Sequence, residues 1–295
     1  MLGSILGIAA ALAIASPMPA QAATTSGQAV RVPYKRDEAG LGIRTTARSA
    51  FIADLVTGKV LYAKNAHQVL PIASITKLVT AMVVLDGHPD DLTQPVLFTE
   101  ADMDRESKVV IPPGESLPMS EVVRLMLVGS VNSAANALAR VSAENEAQFV
   151  QRMNAKMREL HLKSPVFTDP SGVDATNRAS AADVAAILAF ASNYPEVRES
   201  AKLSEVTVRG RLSNRSYTVK STNLLLSSYL NKAPYGIVAA KTGSLPEAGY
   251  CMAQLTKNAA GNQIVAVELG SDNHFSRYQD IKALTAWAFQ SYTWK

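Results

Sequence analysis

Two short apolar blocks, residues 50–56 and 60–63, are separated by Thr57-Gly58-Lys59. Short apolar runs joined by turn residues predict a β-hairpin. After Pro71 the pattern changes. Ile75, Leu78, Val79, Met82, Val83 and Leu85 occupy most sides of a 3.6-residue turn, which predicts a helix buried nearly all round. Helical spacing then dominates from about 90 to 200. Ser120 is a candidate cap for a helix ending at Val128, and residues 133–143 and 146–160 give two more helices. Ser180 with Asp183 predicts a capping box for a helix running to Phe190. Alternation returns at 203–222 (Val206, Val208; Tyr217, Val219), around a turn at 211–214. Residues 237–241, 250–256 and 264–269 predict three more strands, the last two joined by a turn at 258–262. Phe275, Tyr278, Ile281, Leu284 and Trp287 follow one face of a closing helix. Strands therefore occupy both ends and helices the middle, an α/β chain of the α+β kind. If the end strands share one antiparallel sheet, the helical middle is an insertion and a cleft lies between the parts.

Composition sets bounds on this picture. The 295 residues are 47% apolar and 18% charged, enough for one large domain or two intimate ones. The net charge of +4 comes from basic residues scattered along the chain, which fits a solvated surface and not a nucleic-acid partner. Residues 1–22 carry no charge, 5–14 are apolar, and Ala20-Gln21-Ala22 has the small-x-small form of a cleavage site. We read 1–22 as a signal peptide cut after Ala22, although the usual positive n-region is missing. An uncleaved anchor is the rival reading; the apolar run is short for a ~20-residue span and Pro17 and Pro19 follow it. Residues 23–47 read as a flexible lead-in. Cys251, the single cysteine, has no internal disulfide partner and lies in an apolar run, so a buried structural thiol is expected.

Three motifs carry the candidate chemistry. In Ser74-Ile75-Thr76-Lys77 a serine and a lysine stand one helical turn apart, so an amine can reach a hydroxyl and activate it. Ser74 is the candidate nucleophile, near a helix N-terminus, and Lys77 its base. The base must be neutral part of the time, which burial and a nearby cation, Lys241, would promote. The plainer reading makes Ser74 a cap and Lys77 a surface lysine. In Ser130-Val131-Asn132 an extended loop would point both polar side chains the same way. Ser130 could then relay a proton to a leaving amine and Asn132 hold a substrate amide carbonyl; either could instead cap the next helix. Lys241-Thr242-Gly243-Ser244 closes an apolar strand. A cation beside a hydroxyl suits a carboxylate, Gly243 lets a substrate backbone approach, and the N–H groups of Ser74 and Ser244 could form an oxyanion hole. Strict alternation, however, puts Lys241 and Thr242 on opposite faces. His67, His88, His161 and His274 lack metal-ligand spacing, and no phosphate-loop or dinucleotide pattern occurs, so neither metal nor cofactor is expected.

The three motifs in this order resemble the set found in class A β-lactamases and penicillin-binding proteins, with Ser-Asp-Asn the usual middle element. From about Ala50 onward the chain resembles the serine-type D-Ala-D-Ala peptidases among low-molecular-mass penicillin-binding proteins, the endopeptidase type in particular. Thr168-Asp169-Pro170-Ser171-Gly172-Val173, Ser221-Thr222-Asn223 and Gly236-Ile237-Val238 extend the likeness. The resemblance implies a five-stranded antiparallel sheet flanked by helices, an inserted helical lobe within a domain spanning 48–295, and a serine acyl-enzyme. Ser74 would attack a D-alanyl carbonyl, Lys77 assist and Ser130 relay protons, while Lys241 and Thr242 hold a carboxylate. It implies cross-linked peptidoglycan peptides as substrates, β-lactams as covalent inhibitors and a periplasmic location. Carboxypeptidases of the group often add a β-rich domain and an amphipathic anchor. This chain ends at Trp294-Lys295 just after its closing helix, so we expect no stable membrane anchor and lean towards an endopeptidase. A carboxypeptidase and a non-catalytic penicillin-recognising protein remain the alternatives. Residues 164–177 hold aspartates but not the Glu-x-x-Leu-Asn pattern of class A β-lactamases, so a penicilloyl ester should hydrolyse slowly.

Overall fold

The computed structural model describes residues 30–38, 42–104 and 109–295. A short strand β1 (Pro33–Lys35) precedes the hairpin β2 (Ser49–Asp54) and β3 (Val60–Lys64). Strand β4 (Leu70–Pro71) leads into a 3-10 turn, Ala73–Thr76, and helix α1 (Lys77–Gly87). The helical insertion holds β5 (Pro95–Leu97), β6 (Ser116–Pro118), α2 (Met119–Val128), α3 (Asn132–Ser142), α4 (Glu146–Glu159), β7 (Arg178–Ala179), α5 (Ala181–Ala191) and α6 (Pro195–Ser200). The chain returns through the hairpin β8 (Glu205–Arg209) and β9 (Ser216–Lys220), then β10 (Tyr235–Leu245), β11 (Gly249–Asn258), β12 (Gln263–Ser271), α7 (Ser276–Ser291) and β13 (Tyr292–Trp294).

The end strands do share one sheet, five antiparallel strands in the order β10-β11-β12-β2-β3. Alternation along its strands sorts residues between two cores. Cys251, Ala253 and Leu255 of β11 pack with α1, α2 and α5, whereas Met252 packs with Ile281 and Leu284 of α7. Strand β2 lies between two neighbours with both faces covered, so all six of its residues are buried and its sequence reads as a continuous block. Helix α1 runs through the larger core with Lys77 to Leu85 buried without interruption. Each of its fully buried aliphatic side chains contributes roughly 1.5–3 kcal/mol relative to exposure.

The structure departs from the sequence reading at several points. The hairpin β8–β9 does not join the main sheet; it forms its own two-stranded sheet, with Val219 lying against Gly129 at the end of α2. Within the expected lead-in, β1 pairs with β13, and Thr46 donates to Asp280 of α7 through its backbone N–H at 2.8 Å. Ser120 does not cap α2; Pro118 holds that position, with no side-chain bond. Neither Ser130 nor Asn132 caps α3, whose N-cap is Val131. The Ser180–Asp183 capping box is present. Strand β10 continues through Leu245, so the Lys241 motif lies inside a strand and not at its end. The signal peptide expected at 1–22 lies outside the described residues. Among the described residues no helix is long and apolar enough to cross a membrane.

Candidate active site

Ser74 sits in the 3-10 turn just ahead of α1, not on the α-helix. In a 3-10 turn residues i and i+3 eclipse, which aligns Ser74 with Lys77. Lys77 Nζ donates to Ser74 Oγ at 2.8 Å. Ala73, immediately before the serine, is in the left-handed region at φ 50°, a conformation that costs about 1–3 kcal/mol in a non-glycine residue and must be held by its surroundings. Two neighbours hold it. A Cβ on Gly172 (φ 80°) would lie 2.2 Å from the Ala73 carbonyl oxygen, and one on Gly243 would lie 2.6 Å from the Ile72 oxygen and 3.2 Å from Ser74 N. Both positions need glycine because the backbones touch.

Lys77 has no exposed surface. Besides Ser74, its amine donates to Asn132 Oδ1 at 2.7 Å and to the Ser171 carbonyl. Burial brings its pKa down to about 7, against the opposing charges of Asp169 and Asp104. A neutral amine keeps two N–H donors for the two fixed acceptors and a lone pair for the Ser74 hydroxyl proton. Asn132 Nδ2 donates to Asp104 Oδ2 at 3.1 Å, so its amide orientation is fixed by a donor on one side and an acceptor on the other. The Ser171 carbonyl is aimed by Asp169, whose carboxylate accepts from the N–H groups of Ser171 and Gly172 at 2.7 and 2.6 Å, and from Asn177 Nδ2.

Lys241, 2% exposed, donates to Ser130 Oγ at 2.8 Å and to the Thr242 carbonyl at 3.0 Å. Burial, then the charges of Lys77 and Arg277, lower its pKa well below the usual lysine value. Lys77 owes its own lowering to burial, and not to Lys241 as the motif spacing suggests. Ser130 reaches the site from a left-handed backbone at φ 57°, not from an extended loop. Alternation holds along β10. Lys241 is opposite Ala253 and Gly243 opposite Cys251, on the Ser74 side, while Thr242 is opposite Met252, on the α7 side. Thr242 Oγ1 accordingly donates to Thr222 Oγ1 at 2.7 Å.

Ser74, Lys77, Ser130, Asn132, Lys241 and Gly243 thus converge, and Thr242 does not share their face. Ser244 is exposed and lines, with Asn132, Asn136, Ser171 and Glu146, a groove of about 660 Å³. The sequence reading missed Arg277, 4% exposed, which donates to the Gly243 carbonyl at 2.9 Å and to Tyr278 Oη at 2.8 Å; Tyr278 Oη donates on to the Thr222 carbonyl at 2.7 Å. Its signal was a cation set among the apolar positions of the closing helix. Cys251 is buried, with its thiol pushed up to about 11 by burial. Among the described residues no His, Cys, Asp and Glu cluster has the form of a metal site.

The family model described as D-alanyl-D-alanine carboxypeptidase matches residues 35–273. The chain belongs to this family. It is a DD-peptidase, a hydrolase of the serine type. A D-alanyl-D-alanine endopeptidase of Pseudomonas aeruginosa is 34% identical over 81% of this chain and 76% of its own length. The D-alanyl-D-alanine carboxypeptidase DacF of Bacillus subtilis is 30% identical over 83% of this chain and 63% of its own. Among solved structures, a Streptomyces DD-transpeptidase shares the fold at TM-score 0.78 and 24% identity, covering 85% of the peptidase and all of that chain. Penicillin-binding protein D2 of Listeria monocytogenes, in its cefotaxime-bound form, gives 0.73 and 25% over the same share.

Proposed function

We propose that this DD-peptidase is a periplasmic endopeptidase that cleaves D-alanyl cross-links of peptidoglycan through an acyl-enzyme on Ser74. The observation that carries the mechanism is the buried Lys77 amine, hydrogen-bonded to Ser74 Oγ and titrating near neutrality. Ser74 Oγ attacks the D-alanyl carbonyl carbon while its proton passes to the Lys77 lone pair. The N–H groups of Ser74 and Ser244 stabilise the oxyanion. Ser130, bonded to Lys241, passes a proton to the departing amine as the C–N bond breaks and takes in its place the proton that Lys77 received from Ser74, which restores the neutral lysine and the serine hydroxyl. Water then hydrolyses the ester. The side chains of Lys241 and Arg277 flank β10, a substrate carboxylate bound there raises the lowered pKa of Lys241 and holds it protonated, and the Thr242 hydroxyl, bonded to Thr222, steadies the strand. Asn132 holds the substrate amide.

The endopeptidase reading is supported by relatives of that name at 28–34% identity. A DD-carboxypeptidase is the second reading, favoured by relatives of that name at 26–30%. Digestion of purified sacculi separates them. Release of monomers from cross-linked muropeptides is expected. Free D-alanine without monomers would make the enzyme a carboxypeptidase, and no product would make it a wall-binding protein.

A further inference from the structure

The basic residues look scattered along the sequence, but the fold gathers some of them. Residues 205–220 contain Arg209, Arg211, Arg215 and Lys220 against one acid, Glu205, a net charge of +3. These residues form the hairpin β8–β9, which lies outside the main sheet. One face packs inward through Val206 and Val208; the other exposes Thr207, Arg209, Ser216, Thr218 and Lys220. Glu205, at the start of β8, is opposite Lys220 in the register, and the Arg211 guanidinium donates to the Thr93 carbonyl at 3.3 Å, beside Asp91, which accepts from Thr93 N. At the tip, residues 211–215 are all exposed, and Leu212 keeps 66% of its surface in solvent.

This tip is nevertheless built to one shape. Glu115, 2% exposed, accepts from Leu212 N at 2.9 Å, from Ser213 N at 3.2 Å and from Ser213 Oγ. Burial raises the pKa of this carboxyl, but those bonds and the one from Ser116 N outweigh it and hold the value at about 2. Gly210 makes the contact possible, since a Cβ there would lie 2.2 Å from Glu115. Arg211 N donates to the Ser116 carbonyl at 3.0 Å, which ties the turn to β6. A buried carboxylate therefore spends its bonds fixing the backbone of a turn whose side chains face water.

We propose that the β8–β9 hairpin is a docking surface for an anionic lipid bilayer. The side chains of residues 211–215 all face solvent, whereas a peptide or glycan strand is best held in a groove. An exposed aliphatic side chain between two guanidinium groups suits a surface whose phosphates meet the cations while its interior accepts the leucine. Holding the turn in place beforehand removes the ordering cost of binding. One leucine is a small anchor, so the contact is reversible and depends on salt. None of the groove residues named above belongs to this hairpin.

The test is sedimentation of the purified protein with vesicles of phosphatidylcholine alone or mixed with phosphatidylglycerol. The protein binds the anionic vesicles, and added salt releases it. Arg211→Glu with Arg215→Glu weakens that binding about tenfold or more, with an unchanged unfolding midpoint. Leu212→Ser weakens it at constant charge. Leu212→Trp, with the fold otherwise untouched, shifts its emission to the blue over the wild-type baseline when anionic vesicles are added. Equal binding to both vesicle types, full binding by the double variant, or no emission shift overturns the proposal. So does Arg211- and Arg215-dependent capture by lipid-free sacculi without capture by vesicles, which would assign the surface to the wall polymer.

Discussion

Lys77 is an amine with no exposed surface, three oxygen neighbours and a pKa near 7. A protonated Lys77 has no lone pair for the serine proton, so acylation should fall as pH drops below about 7, with an acidic limb of unit slope in the pH–rate profile. Lys77→Arg keeps the charge and cannot act as a base; it should abolish acylation, seen as loss of a β-lactam adduct by intact mass. Ser74→Ala should lose the same adduct, and labelling that survives it would take Ser74 out of the nucleophile role. Lys241→Gln makes a separable prediction. A charge-assisted bond to a substrate carboxylate is worth about 1.5–3 kcal/mol, so acylation by a carboxylate-bearing ester should fall roughly 10- to 150-fold. A carboxylate-free ester should be spared, and the acidic limb should stay in place because burial sets the pKa of Lys77. Equal loss for both esters would remove Lys241 from carboxylate binding.

At the scale of elements, the site is a clasp of three backbones: the 3-10 turn before α1, strand β10, and the loop after α4. Gly243→Ala should push β10 away from Ser74 and slow acylation about 100-fold, since a shift of about 1 Å at a reacting group costs that much. Gly172→Ala combines a φ of 80° with a collision against Ala73; it should destabilise the fold by at least ~1–3 kcal/mol in urea unfolding. The sequence showed much of this clasp. Ser74 and Lys77 were readable because a three-residue spacing aligns side chains in an α-helix and a 3-10 turn alike. Gly243 was readable as a place of close approach, although the backbone that comes close here is the enzyme's own. Thr242 was the instructive case. Motif membership put it beside Lys241, alternation put it on the other face, and the structure follows alternation. The carbonyl of Ser171 could not be foreseen, because backbone acceptors leave no mark in a sequence; Asp169, followed by Pro, Ser and Gly, stood out only as part of the family likeness. Strands of two or three residues, such as β4 and β7, are too short to show a period.

Across the whole molecule, the described part of the segment before β2 is tied to the other end of the chain. Thr45 Oγ1 lies within hydrogen-bond reach of both Glu268 and Asp280, and Ser271 Oγ donates to Glu268 at 3.2 Å. Burial, reinforced by the charge of Asp280 and opposed by the hydrogen bonds of Thr45 and Ser271 and by Lys64, holds the Glu268 pKa well above the usual carboxyl range. The folded state then binds a proton that the unfolded state releases near pH 4.5. Stability from this group is present below that pH and is lost as pH rises through the raised value. Glu268→Gln should flatten this decline in urea unfolding series, and an unchanged slope would mean that Glu268 is charged in the fold. The architecture was legible because short apolar blocks at both ends read as strands and the resemblance implied one five-stranded antiparallel sheet, whereas the alternation at 203–222 marked a hairpin that stays outside that sheet. The pairing of β1 with β13 was not, since each offers only three residues to periodicity.

That pairing has a topological consequence. Val32 N donates to the Lys295 carbonyl at 2.9 Å, and Lys295 N returns a bond to Val32 at 3.2 Å. Followed as a curve in space, the backbone from Val32 onward is almost a ring, with its two ends in contact across one rung of a ladder. Which residue comes first is then a matter of synthesis and not of packing. A circularly permuted chain, joined across that rung by a few flexible residues and opened in the exposed turn at 258–262, would meet the same sheet, the same clasp and the same buried lysines in a different genetic order.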